Sequence, residues 1–281
     1  MIEKNKIISS KSILDEFKGV NRKKPKMILK VFKEHNEQMD RLSGKSISKS
    51  TAKRYWRCYN HIEQFLLEEY NTEDYPMNEI NHQFISKLEY FLKTKRECNH
   101  NLALKYVNNF KKIIRIALAN QWMDRDPFYN YKVQFETVER EFLNEEEVQT
   151  LIQKDLHLDR LKLVRDMFVF SCYTGLANSD VKKLTSADIT KGIDGGKWIR
   201  IKRTKTKSLS SIPLLPVAEE ILNRYQDHPE VKNGKYVLPV LSNQKSNAFL
   251  KEIAALCGIT KPLTWLDIRS QPLLHSPMEF L

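Results

Sequence analysis

Apolar side chains recur along much of this chain at three- and four-residue steps, the period of an α-helix with one buried face. Ile28, Leu29, Val31 and Phe32 give one sticky side to a helix around Lys26–Leu42, inside a polar, lysine-rich segment spanning 1–47. The stretch SGKSISKS reads as a loop. Ser50 or Thr51 then caps a helix running to about Tyr70, whose Tyr55, Tyr59, Ile62 and Leu66 share a face. A loop carrying Pro76 leads to a helix over roughly Asn81–Lys93. A third, over about Asn101–Gln121, turns Tyr106, Phe110, Ile113, Ile114 and Ala117 inward. Arg125-Asp126-Pro127-Phe128 ends it, because the residue before a proline is pushed out of the α region. The expectation is a helical domain over 48–132, preceded by a segment 1–47 with one helix.

The pattern then changes. YKVQFETVERE is charged, extended and without helical period, so 133–142 reads as a linker. Asn144 with Glu147 three residues on forms a capping box that opens a helix. A longer apolar helix covers about Leu161–Thr174, and a short one after Gly175 holds Asp180–Leu184. Lys197–Arg203 (KWIRIKR) and Ser208–Leu215 (SLSSIPLL) predict two strands joined by Thr204-Lys205-Thr206-Lys207, and Val217–Tyr225 and Gln244–Cys257 return to helix. The second domain, 143–281, is therefore mixed. The fold class is mainly α with a small β-sheet (α+β), with no internal repeat.

Composition narrows the function. Of 281 residues, 41% are hydrophobic and 29% charged, enough to build a core. No apolar run approaches the roughly 18 residues of a transmembrane span, and the start lacks the features of a signal peptide, so no membrane association and a cytoplasmic location are expected. Cys58, Cys98, Cys172 and Cys257 lie far apart with no C-x-x-C, which argues against a disulfide framework or a zinc ribbon. His35, His61, His82, His100, His157, His228 and His275 show no paired ligand spacing, and no glycine-rich nucleotide loop occurs. Neither metal nor cofactor is expected. Trp56, Tyr59, Phe65 and Phe110 sit at core spacing and read as packing rather than as base-stacking platforms.

The charge points to a polyanion. Lys and Arg number 47 against 35 Asp and Glu, a formal net charge of +12. Lys53 and Arg57 stand four apart with Arg54 beside them, and Lys105, Asn108 and Lys112 share a face flanked by Lys111 and Arg115. Two such helices suit the phosphates and grooves of double-stranded DNA, and the alternative is a solvated charged surface.

FVFSCYTGLANSDVKKLTSADI (Phe168–Ile189) resembles the tyrosine recombinases, the integrases of phages and conjugative transposons in the style of the Bacteroides group. The likeness rests on Thr174-Gly175-Leu176 followed by Ser179-Asp180-Val181. YWRCYNHIEQFL and NNFKKIIRIALANQWMDRDPF resemble the family's helical, SAM-like core-binding domain, and the chain from VEREFLNEEEVQTL to about Leu263 resembles the first part of its catalytic domain. The resemblance implies a transesterification in which a tyrosine attacks DNA, with cations stabilising the phosphate and an acid protonating the leaving 5′ oxygen. It assigns Lys205 to the family's hairpin lysine and Asp180 to the acidic residue orienting an arginine. Arg203 and Lys207 flank Lys205 as DNA contacts, unless all three are ordinary turn residues.

The departures matter equally. Ala177 stands where the family's first arginine is usual, with Arg203 as a substitute cation, and Leu266 stands where a histidine is usual. Arg269 falls at the spacing of the second arginine. No tyrosine follows Tyr236. Codons for Leu263–Leu281 can be chosen so that a shifted frame spells HVARHTFATIASLSNGVS, close to the family's H-x-x-R helix, so a frameshift near codons 260–264 is expected, leaving an incomplete catalytic domain without strand cleavage. The gene's nucleotide sequence tests it. Intact relatives assemble as tetramers on DNA; a chain of this kind is expected to be a monomer or to self-associate weakly. The alternative function is a non-enzymatic DNA-binding protein that occupies recombination sites.

Overall fold

Every predicted helix and strand forms, with ends shifted by no more than three residues. The computed structural model describes residues 25–139, 141–193 and 195–265, and these separate into two compact units that divide between Thr137 and Val138.

The first unit is four helices: α1 (Ile28–Arg41), α2 (Lys49–Tyr70), α3 (His82–Thr94) and α4 (His100–Ala119). Each of the last three starts at a polar cap whose side-chain oxygen accepts from a first-turn amide. Ser48 takes Thr51 N, Asn81 takes Phe84 N and Asn99 takes Leu102 N. Asn71, in the left-handed conformation at φ +49°, ends α2. The core is aromatic at its centre. Phe84 stacks on Phe110 with ring centroids 5.9 Å apart and meets Phe65 edge-on at 5.1 Å. All three rings are buried. Such pairs add about 0.5–1.5 kcal/mol each beyond the apolar area they bury.

Helix α1 differs from the sequence reading. Placed there in a segment apart from the helical domain, it packs into that domain's core: Ile28 and Phe32 are fully buried beside Phe65 and Ile114. Asp74 anchors its start, accepting from the Leu29 and Lys30 amides.

The second unit holds α5 (Glu145–Gln153), α6 (Asp159–Thr174), α7 (Asn178–Val181), β1 (Ile189–Lys191), β2 (Lys197–Lys202), β3 (Leu209–Pro213), α8 (Pro216–Tyr225), α9 (Pro229–Lys232) and α10 (Asn243–Leu256). The strands form one antiparallel sheet in the order β1-β2-β3, with Ile199 opposite both Ile189 and Ile212. Strand β1 and helix α9 were not predicted, being only three and four residues long. The capping box at the start of α5 is formed, Asn144 accepting from Glu147 N while Glu147 accepts from Asn144 N. Helix α6 is central: Val164, Phe168, Phe170 and Cys172 are buried on several sides, so it lacks a clean polar face. Its Asp166 is buried yet fully engaged, by Arg165 Nε at 2.8 Å, Arg224 Nη1 at 2.9 Å and the Tyr225 hydroxyl at 2.9 Å.

Candidate nucleic-acid interface

Helices α2 and α4 bury the stripes the sequence marks, and that leaves their cations outward. Lys53, Arg54, Arg57, Lys105, Asn108, Lys112 and Arg115 are exposed, and Lys111 is half-buried. Contacts between the two helices bring the basic faces together. Lys112 Nζ lies 5.3 Å from the centre of the Tyr55 ring, on α2 between Arg54 and Trp56. Cys58 Sγ, next to Arg57 on α2, donates to the Tyr106 carbonyl of α4 at 3.3 Å. Lys111 diverges from this face and lies 5.1 Å from the Phe128 ring. Among the described residues, none of these basic side chains makes an ion pair with a carboxylate. Of the aromatics read as packing, Phe65 and Phe110 are fully buried, whereas Trp56 and Tyr59 are half-exposed and Trp56 is held by its Nε1–H on Asp40 at 2.7 Å.

In the second unit the assembly is tighter. Helix α6 ends at Gly175, whose φ of +61° suits glycine. The chain then turns into α7 through Ala177, and Asp180 on α7 is buried. Its carboxylate accepts from the Thr204 amide at 2.8 Å, at the tip of the β2–β3 hairpin, and faces Lys183 Nζ at 3.6 Å. Lys183 in turn donates to the Lys202 carbonyl. The tip is closed by Arg203 N to Ser208 O at 2.8 Å and Lys207 N to Arg203 O at 3.0 Å, with Lys207 at φ +60°.

Asp180 thus contacts the hairpin backbone and not an arginine. The arginine of this corner, Arg203, points the other way: Nη1 donates to the Gly175 carbonyl at 2.9 Å and Nε to Ser210 Oγ at 3.0 Å. A guanidinium is thus bound to the carbonyl of Gly175, two positions before Ala177 in the chain, and its Nη2 makes no hydrogen bond among the described residues. Lys205 and Lys207 are exposed at the tip with no partner among the described residues. Arg269, Leu266 and the segment beyond, like the segment before residue 25, lie outside the described residues. Sequence reading missed Lys183 and Ser210, whose part in the corner depends on contacts made only in the folded chain. Among the described residues no group of three His, Cys, Asp or Glu could hold a metal ion, and no helix is long and apolar enough to cross a membrane.

Residues 27–133 match the profile of the phage integrase SAM-like domain. No curated protein matches the chain. Among solved structures, a lambda integrase dimer bound to a COC' core site is similar, with a TM-score of 0.69 at 16% identity over 88% of this chain and 85% of that one. A lambda integrase tetramer bound to a Holliday junction gives 0.68 at 16% identity, over 93% of this chain and 79% of that one. The Tn1549 transposon integrase in complex with a circular intermediate DNA gives 0.65 at 12% identity, over 88% of this chain and 85% of that one. Residues 27–133 thus match the phage integrase SAM-like domain, and the chain has the fold of the lambda and Tn1549 integrases.

Proposed function

We propose that this chain binds duplex DNA at sites of integrative recombination, and that its 281 residues do so without cutting it. The observation that carries the reading is the pair of basic faces on α2 and α4, unpaired by carboxylates, on a domain of the phage integrase SAM-like family. The solved integrases it resembles are complexes with DNA, including a core site and a Holliday junction. Cations with no carboxylate partner among the described residues can each neutralise a phosphate and release its counterions. Asn108, between Lys105 and Lys112, carries the amide that can pair bidentately with adenine in a major groove.

In the second unit Arg203 and Lys205 are the groups that would face the scissile phosphate. Arg203 Nη2 would supply the cation that Ala177 lacks, and Lys205, on the anchored tip, would donate a proton to the leaving oxygen. Positioning falls to Asp180 through the Thr204 amide. Integrase chemistry also needs an attacking tyrosine, and none follows Tyr236 in these residues.

The test uses labelled duplexes carrying candidate attachment sites. Binding that weakens steeply between low and moderate salt, with no nick and no covalent protein–DNA adduct, is the expected result. A covalent adduct overturns the claim of inactivity, and salt-independent or absent retardation overturns the binding claim. Light scattering with and without DNA checks the oligomeric state, expected to be a monomer or weakly self-associating.

A further inference from the structure

The segment read as a linker is tied down at both ends. Beyond Phe128, buried in the core, Tyr131 donates its hydroxyl to Glu89 on α3. Burial pushes the Glu89 carboxyl up, but hydrogen bonds from Lys93 and Tyr131 outweigh it and hold the group ionised below its ordinary value. Three residues on, the Gln134 carbonyl accepts from His100 Nε2 at 2.8 Å. Asn101 then grips both polar groups of Glu136. Its Nδ2 donates to the Glu136 carbonyl at 2.9 Å, and its Oδ1 accepts from the Glu136 amide at 2.9 Å. The side-chain amide thus meets an extended segment as a neighbouring strand would. His100 and Asn101 are the first two residues of α4, the helix that bears Lys105, Asn108 and Lys112.

At the far end, Lys261 Nζ donates to the Phe142 carbonyl at 3.1 Å and to Glu147 Oε2 at 2.7 Å, within the second unit. Asn144 and Glu147 lock the chain immediately afterwards. Ten residues, 133–142, lack regular secondary structure by sequence, yet among the described residues the interval without a side-chain anchor shortens to 137–141.

We propose that His100 and Asn101 are a clasp that shortens the joint between the two units to 137–141 and so sets how readily the second unit engages DNA once the first is bound. The physical effect is on effective concentration, which falls roughly as the −3/2 power of the length of a flexible connection. Doubling the free joint from about five residues to about ten lowers it about threefold. A basic linker would gain by electrostatic contact with DNA. This one carries Glu136, Glu139 and Glu141 against Arg140, a net charge of −2, so restraint by the protein rather than attraction to DNA positions it. The effect on DNA binding rests on the function proposed above; the clasp itself does not.

Hydrogen exchange on the full chain, followed residue by residue, reads the clasp without DNA. In the unaltered protein the Glu136 amide is expected to be protected while those of Thr137–Glu139 exchange fast. In Asn101→Ala, Glu136 exchanges about tenfold faster with the melting temperature unchanged, since two partly exposed hydrogen bonds are lost. Asn101→Asp, which keeps the acceptor and loses the Nδ2 donor, gives an intermediate rate and serves if the alanine variant melts early. Equal exchange of Glu136 in the unaltered and variant proteins overturns the clasp. Mobility shift then reads the joint, with the double variant His100→Ala/Asn101→Ala, which frees 132–141, expected to weaken duplex binding about threefold at unchanged salt slope. Accelerated exchange with unaltered affinity overturns the joint-length role. Absence of binding by the unaltered protein overturns the DNA-binding reading and the joint-length role with it, and leaves the clasp judged by exchange alone.

Discussion

In the first unit Lys53, Arg54, Arg57, Lys105 and Arg115 stand on helix faces, directed outward because the opposite faces are buried. In the second, Arg203 is held by Gly175 and Ser210, and the hairpin tip beside it is held by Asp180 and Lys183. The first arrangement needs only helical periodicity and a closed aromatic core. The second needs segments 24 to 28 residues apart to meet in one geometry. A surface that follows from local structure tolerates the loss of any one cation; a corner built from long-range hydrogen bonds fails when one bond is removed.

The largest effect expected from this contrast comes from the core. Phe84→Ala removes a ring in contact with Phe65 and Phe110 and should cost about 3–5 kcal/mol in the first unit. Calorimetry of the full chain should show the transition of that unit moving while the other stays. If both move together, the two units do not unfold independently. Next is Asp180→Ala. It strands the Thr204 amide and removes the charge facing Lys183, and should cost about 1–3 kcal/mol while accelerating exchange of the hairpin-tip amides. A tip that exchanges as before would mean that the turn holds itself together and that the corner is no more coupled than the helix faces.

Smaller effects are expected on the first unit's surface. Arg57→Ala and Lys105→Ala should each lower the slope of log affinity against log salt by about one and weaken all duplexes similarly, whereas Asn108→Ala should change sequence preference more than the slope. Binding titrations at several salt concentrations separate the two outcomes, and an unaltered slope for both charge variants removes α2 and α4 from the interface.

The smallest is a pH effect confined to the first unit. Burial lowers the pKa of His35 against the hydrogen bond it donates to Asn36 Oδ1, with Lys112 adding to the lowering, and burial together with Arg96 lowers that of His61. A histidine whose folded pKa is depressed binds its proton more readily when unfolded. Its contribution is therefore complete above the unfolded value near 6.5 and is lost as pH falls through the folded value. Melting of the first unit should drop as pH falls below 6.5, and His35→Gln should flatten that drop. An unchanged profile would assign the effect elsewhere.

Much of this was legible in one dimension. The stripe Tyr55, Ile62 and Leu66 and the stripe Tyr106, Phe110 and Ile113 place the basic residues of α2 and α4 on the opposite faces, because a helix repeats every 3.6 residues whatever it packs against. The hairpin around Lys205 and the capping box at Asn144 are equally local. Helix α1 was legible as a helix and not as part of the first unit, since an apolar stripe says that a partner exists but not which one.

The sequence by itself determined which residues are outward cations, which helices bear them and where the hairpin turns, all matters of spacing within a few residues. Only the tertiary structure decided that Asp180 holds the Thr204 amide, that Arg203 reaches the Gly175 carbonyl, and that Asn101 takes hold of Glu136. A hydrogen bond between distant segments depends on distance and angle to within a few tenths of an ångström, and no periodicity in the chain encodes that.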